Sequence, residues 1–201
     1  YKKKTKLIKL QNQDILILSM ENTHHEGIFS LVIKGTEFGN LTRIFIVNET
    51  IKPFAVQLHT HRYPIKLTIL NGDIKHHIAS RTDIENSESV ILSEYEYKSP
   101  LNDGDGLKYI KESSVIVKDY NLPIGSTIQM SNEEFHTISC SAGSIWIVEE
   151  LGFVTKSSRV LGIPFVTNEF YNKPNSSEIY DYCQLVAEVI KKMIHNYELV
   201  K

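Results

Sequence analysis

From Leu7 to about Thr167 the chain is a succession of short runs rich in β-branched and aromatic residues, cut repeatedly by glycine, proline, asparagine and aspartate. The runs read as strands at Ile15 to Leu18, Phe29 to Ile33, Thr42 to Val47, Phe54 to His61 and Lys66 to Leu70. Others follow at Asp73 to Ala79, Val90 to Tyr97, Ser114 to Lys118, Thr127 to Met130, Phe135 to Ser139 and Ile145 to Glu149. No helical periodicity alternates with them, so the βαβ crossover that parallel strands require is missing. An antiparallel sandwich or barrel is what remains. Asn71-Gly72 is the strongest short hairpin signal and predicts a turn joining Lys66–Leu70 to Asp73–Ala79.

The mode changes after Pro174. Asn175-Ser176-Ser177-Glu178 reads as a capping box. Tyr182, Leu185, Val186, Val189, Ile190 and Met193 then recur at three- and four-residue spacing, which predicts an amphipathic helix packed outside the barrel or on a second subunit. Cys183 and His195 on that helix are read as bystanders. A chain of 201 residues holds one well-buried domain. The expected division is a β-barrel with an N-terminal strand extension over 1–173, and a C-terminal helix of the same domain over 174–201.

A formal charge of −2 leaves no basic excess to neutralise nucleic-acid phosphates. Lys2-Lys3-Lys4 and Lys6 form a basic cluster read as a solvated terminus. No segment reaches the ~18 apolar residues of a membrane span, and no signal peptide is evident. Cys140 and Cys183 match no disulfide or metal spacing. A reducing, cytoplasmic setting is therefore expected. The chain opens on Tyr1 rather than methionine, compatible with the removal of an upstream piece.

Chemistry concentrates in Gln57-Leu58-His59-Thr60-His61. Side chains alternate faces along a strand, so Gln57, His59 and His61 point to one side. Two imidazoles facing a core are costly unless something satisfies both, and a transition metal is the commonest partner that does. His136, in the strand-like run Glu134 to Ile138, is the expected third ligand.

These residues resemble the cupin superfamily. Its first motif runs glycine, five residues, His-x-His, three or four residues, glutamate, six residues, glycine. His59, His61 and Gly72 stand at the matching positions, with Pro53 for the leading glycine and Ile65, or Lys66 by the longer spacing, for the glutamate. The second runs glycine, five residues, proline, one residue, glycine, two residues, histidine, three residues, asparagine. Gly125 and His136 match it, with Ser131, Glu133 and Cys140 replacing the rest. The similarity covers roughly Leu41 to Gly152. It implies a cupin-type double-stranded β-helix, a jelly-roll barrel, with Gly143 to Glu149 as its closing strand.

A shell without the glutamate is similar to the three-histidine iron site of thiol dioxygenases in that superfamily. Three neutral ligands leave the full charge of a divalent ion to face an anionic substrate and dioxygen. Iron is the favoured ion, and zinc, nickel or manganese would suit the same ligands.

Gln57, Lys66 and Tyr95 are the candidates for contact with substrate. Lys66 enters the cavity only if the strand slips by one residue; with Ile65 inward it is merely solvated. Tyr95 and Tyr97 share a face and would line the cavity or sit half-buried on the strand. Of His76-His77, alternation makes His76 the interior residue, either near the ligands or as a satisfied core histidine. His24-His25 precedes Gly27 in a loop expected to be exposed. Glu134 shares the face of His136, as a fourth ligand or a rim carboxylate, while Trp146 and Phe135 read as core.

The expected function is a metal-dependent enzyme, an iron dioxygenase acting on a small polar or thiol substrate. Two other readings stay open: a sugar-type isomerase, epimerase or lyase with another metal or none, and a non-catalytic small-molecule binder. No nucleic-acid or membrane partner is expected, and a homodimer is compatible with such a barrel.

Overall fold

The structure is a computed structural model that describes residues 18–21, 23–84, 87–99 and 104–162. The helix expected over 174–201, with Cys183 and His195, lies outside the described residues, as does all but Leu18 of the strand expected at 15–18. The described chain forms eleven strands. They are β1 (Ile28–Lys34), β2 (Thr42–Val47), β3 (Leu58–His59), β4 (Ile65–Asn71), β5 (Ile74–Arg81) and β6 (Ser89–Lys98), followed by β7 (Gly106–Leu122), β8 (Thr127–Met130), β9 (Phe135–Cys140), β10 (Ile145–Glu150) and β11 (Ser158–Gly162).

All pairings are antiparallel, and the strands form two sheets. One is five-stranded, in the order β1-β2-β10-β4-β8. The other runs β11-β3-β9-β5-β7-β6 and closes on itself through the β6–β11 pair. This is an all-β arrangement of two antiparallel sheets, with β1 and β2 extending one of them. Among the described residues no helix is long and apolar enough to cross a membrane.

Alternation fixes the faces. Ile65, Leu67 and Ile69 of β4 and Trp146 and Val148 of β10 join Ile74, Ile138 and Cys140 from the closed sheet in the main core. Burying each branched aliphatic side chain there contributes roughly 1.5–3 kcal/mol. The intervening positions Leu31, Ile44, Ile46 and Ile145 form a second apolar cluster on the opposite face of the five-stranded sheet. Trp146, stacked on Phe45 at 5.3 Å, and Phe135 are core residues as expected.

Two expectations about local structure fail. Asn71-Gly72 does not close a hairpin: β4 pairs with β8 and β10, whereas β5 pairs with β7 and β9, so the dipeptide carries the chain from one sheet to the other. The turn chemistry serves packing. Gly72 adopts φ +88°, and a Cβ there would overlap the Ser144 side chain and stand 2.7 Å from its Cα. Asn71 donates its side-chain amide to Gly143 O at 2.9 Å, fastening the crossover to the turn before β10. The run from Phe54 to His61 is also not one strand, because only Leu58 and His59 enter a ladder. β11 carries only Val160 and Leu161 as β-formers, too weak a signal to read from sequence.

Candidate metal centre

β3 is held on both sides although it is only two residues long. His59 pairs with Val160 of β11 and with His136 of β9. Thr60 extends the clamp: its N–H donates to Arg159 O at 2.9 Å, and its hydroxyl accepts from Arg159 N at 2.8 Å. With the backbone fixed, strand alternation directs Gln57, His59 and His61 into one cavity, where His136 meets them. One nitrogen from each of His59, His61 and His136 lies within 4.8 Å of the other two. The Nε2 atoms of His61 and His136 are 3.3 Å apart.

Neighbouring groups set the tautomers. The Nδ1–H of His59 donates to Gln57 O at 2.8 Å, which leaves its Nε2 bare. His136 Nδ1 stands 3.0 Å from His76 Nε2. His61 Nδ1 is buried without a hydrogen-bond partner among the described residues. Among the described residues no carboxylate hydrogen-bonds any of the three.

All are held neutral. Desolvation, then the neighbouring imidazoles, pushes His61 and His136 well below the ordinary histidine range. Desolvation also lowers His59, against the opposing effect of its bond to Gln57 O. At 3.3 Å the His61 and His136 Nε2 atoms are close enough for one to donate to the other, and a cation between them would use both lone pairs instead. The donor set therefore fits a divalent metal held by three neutral imidazoles.

The cavity measures about 440 Å³. A buried ion pair forms part of its wall: Arg43 Nε donates to Glu150 at 3.1 Å, and Glu150 also accepts from Gly39 N at 2.6 Å. Arg43 is braced by Leu18 O and the Ser30 hydroxyl, at 2.9 and 3.1 Å. Tyr63 hydrogen-bonds Glu150, and burial raises its phenol pKa above the ordinary value. Its ring lies nearly parallel to that of His61, with centroids 6.5 Å apart. The guanidinium groups of Arg43 and Arg62 both lie over the Phe38 ring. Arg43 had a visible signal, a lone charge in an apolar strand, whereas Glu150 ends β10 beside Glu149 and had none of its own. Tyr63 continues the alternation of His59 and His61.

The expected contacts separate. Gln57 lines the cavity and also supplies the carbonyl that orients His59. Lys66 does not enter: Ile65 takes the inward position and Lys66 pairs with Glu149 at 2.6 Å, both about 40 % exposed. Tyr95 is also outside the cavity lining; it packs edge-on against Tyr109, beside a bulge at Glu94/Tyr95, and Tyr97 lines the cavity instead. Glu134 caps Ser131 N at 2.6 Å on the rim, not at the metal site.

His24 sits in an exposed bend, as expected, yet it also lines the cavity and stacks on His59 at 4.7 Å with a left-handed φ of +67°. Desolvation, then the nearby His59 and Arg43, pushes its pKa down to about 3. His76 is interior, as alternation implies, yet His77 is buried too. His77 donates through Nδ1 to Asp119 at 2.7 Å and accepts the Ser139 hydroxyl at 2.9 Å, beneath Phe54. The bonds follow a hydrolase Ser-His-Asp chain. Ser139, however, is buried mid-strand outside the cavity lining, and the adjacent Cys140 N–H is taken by Ile51 O, so the trio satisfies polar groups rather than presenting a nucleophile.

No family model and no curated protein sequence matches the chain. Among solved structures it is similar to hydroxypropylphosphonic acid epoxidase from S. wedmorenis, at 16% identity and TM-score 0.39, covering 65% of this chain and 53% of that one. It is also similar to FeII HppE, at 13% identity and TM-score 0.38, covering 71% and 54%. FeII HppE in complex with substrate matches at 11% identity and TM-score 0.37, covering 66% and 55%. The chain spans about half the length of these structures.

Proposed function

We propose that the protein is a metal-dependent enzyme, an iron-dependent dioxygenase that acts on a small polar or thiol substrate in the cavity. The observation that carries this reading is the convergence of His59, His61 and His136 within 4.8 Å on the wall of a 440 Å³ cavity, with no carboxylate of the described residues bonded to them. Bound there, iron would supply redox chemistry and an undiminished dipositive charge for an anionic group. The chain's own part is to hold three imidazoles neutral and aimed, and to shelter the substrate between Gln57, Tyr63 and the aromatic wall.

A second reading is isomerase, epimerase or lyase chemistry with zinc, nickel or manganese. It is favoured by Tyr63 hydrogen-bonded to Glu150 inside the same cavity, a pair able to pass a proton.

Elemental analysis of protein purified without added metal, with His61→Ala alongside, tests the proposal. Near-stoichiometric iron in the wild type, lost in the variant, together with oxygen uptake on thiol or small-acid substrates, is the expected result. Stoichiometric zinc or manganese without oxygen uptake transfers support to the second reading. Protein that stays metal-free after reconstitution overturns both.

A further inference from the structure

We propose that His76 is a positioning residue of the metal centre: its Nε2 accepts the Nδ1–H of His136, which leaves His136 Nε2 bare for the ion without bringing negative charge to it. The inference rests on the metal-centre reading above.

The β5–β9 ladder creates the contact. It sets Ile78 opposite His136 and His76 opposite Ile138, so His76 is the diagonal neighbour of the ligand on the same inward face. Diagonal positions lie about 7–8 Å apart, which side chains as long as two histidines can bridge. They do so at 3.0 Å between ring nitrogens, with the rings inclined at 70°, the geometry of an edge-directed hydrogen bond rather than of stacking. Both residues are buried, at 2% and 5% exposure, so water does not compete for the bond. Among the described residues no acid is hydrogen-bonded to His76; Glu134, which acts on it electrostatically, is engaged with Ser131 N.

Ligand histidines usually donate their second N–H to a carboxylate, a carbonyl or water, and such a partner fixes the ring and its tautomer. Here His59 uses a carbonyl and His136 uses an imidazole. Neither partner is charged. A carboxylate in place of His76 would lend the ligand anionic character and reduce the charge that the ion presents to the cavity. An imidazole fixes the ring and leaves that charge intact.

The test uses the full chain with cobalt(II) and zinc(II), comparing wild type, His76→Leu, His76→Gln and His61→Ala. Affinity is read by chelator competition and geometry by the cobalt visible spectrum. His76→Leu should bind about 10–100-fold more weakly, with an altered spectrum. His76→Gln, whose amide oxygen can accept the same N–H, should recover most of the affinity. Should His76→Leu not fold, ¹⁵N NMR of the zinc-loaded wild type reads the arrangement directly: His136 protonated at Nδ1 and His76 unprotonated at Nε2. His76→Leu with wild-type affinity and spectrum, or His136 bound to zinc through Nδ1, would overturn the proposal while loss of metal in His61→Ala upheld the centre itself. A wild type that takes up no metal would overturn both.

Discussion

Lowering the pH should unfold the metal-free protein well above the range in which its carboxylates protonate. His61, His76 and His136 are packed together and held below the ordinary histidine value of 6.5, His76 at about 4. For His76 the causes are desolvation, then the proximity of His77, opposed by Glu134. The unfolded chain takes up protons on these residues near 6.5 while the folded chain does not, so stability is complete above that value and is lost as pH falls.

At about pH 5.5 each such group favours the unfolded state by about 1.4 kcal/mol, and three together by about 4 kcal/mol. His59 and His24 shift in the same direction. A total stability of roughly 5–15 kcal/mol cannot absorb much more. Glu94 belongs to a different window. Burial opposes its ionisation, but bonds from Arg81, Ser113 and Arg159 outweigh it and hold its pKa below the ordinary value, so its contribution fails only in stronger acid.

Urea titrations followed by Trp146, the single tryptophan and a buried one, measure the effect. The midpoint should fall by more than 1 M between about pH 7.5 and 5.5, for a slope near 3 kcal/mol/M. Saturating zinc should restore most of it, since the ion takes the lone pairs that protons would otherwise claim. A midpoint flat across that interval would refute the claim that these imidazoles are buried and neutral.

Other substitutions probe the frame. Gly72→Ala should destabilise by 2 kcal/mol or more in thermal melts, because it adds an overlap with Ser144 to the roughly 1–2 kcal/mol cost of a left-handed non-glycine residue. Gly143→Ala, at φ +83° with open space around its Cβ position, should incur only the backbone cost. Arg43→Met strands the buried Glu150 carboxylate and should cost about 3–5 kcal/mol by chemical denaturation. Lys66→Met should leave turnover unchanged and shift stability by less than about 1 kcal/mol, because its pair with Glu149 is solvated.

What the sequence disclosed was whatever alternation governs. Period-two patterning places Ile65 inward and Lys66 outward, groups His59 with His61, and identifies most strands within a few residues. It does not say which strands become neighbours. Asn71-Gly72 has the composition of a hairpin turn, yet the close approach of Ser144 uses the glycine for a passage between sheets. The same limit hid His24, which reaches the centre from a turn far away in the chain and shows no periodicity of its own. His76 was legible as interior but not as a partner of His136, since that contact is created by the β5–β9 register. Tyr95 shares a face with Tyr97, but it packs against Tyr109 while Tyr97 reaches the cavity, and alternation does not distinguish two residues on one face.

The closure of the second sheet also has a consequence for the order of events during synthesis. His59 sits on a two-residue strand whose outer rail is β11, about a hundred residues downstream, and pairings of such sequence separation form slowly and late. A nascent chain lacking Ser158–Gly162 holds all three histidines but lacks the rail that aligns the first two. On the metal-centre reading, an ion would meet its aligned ligands only after the barrel has shut, rather than serve as the seed around which it folds.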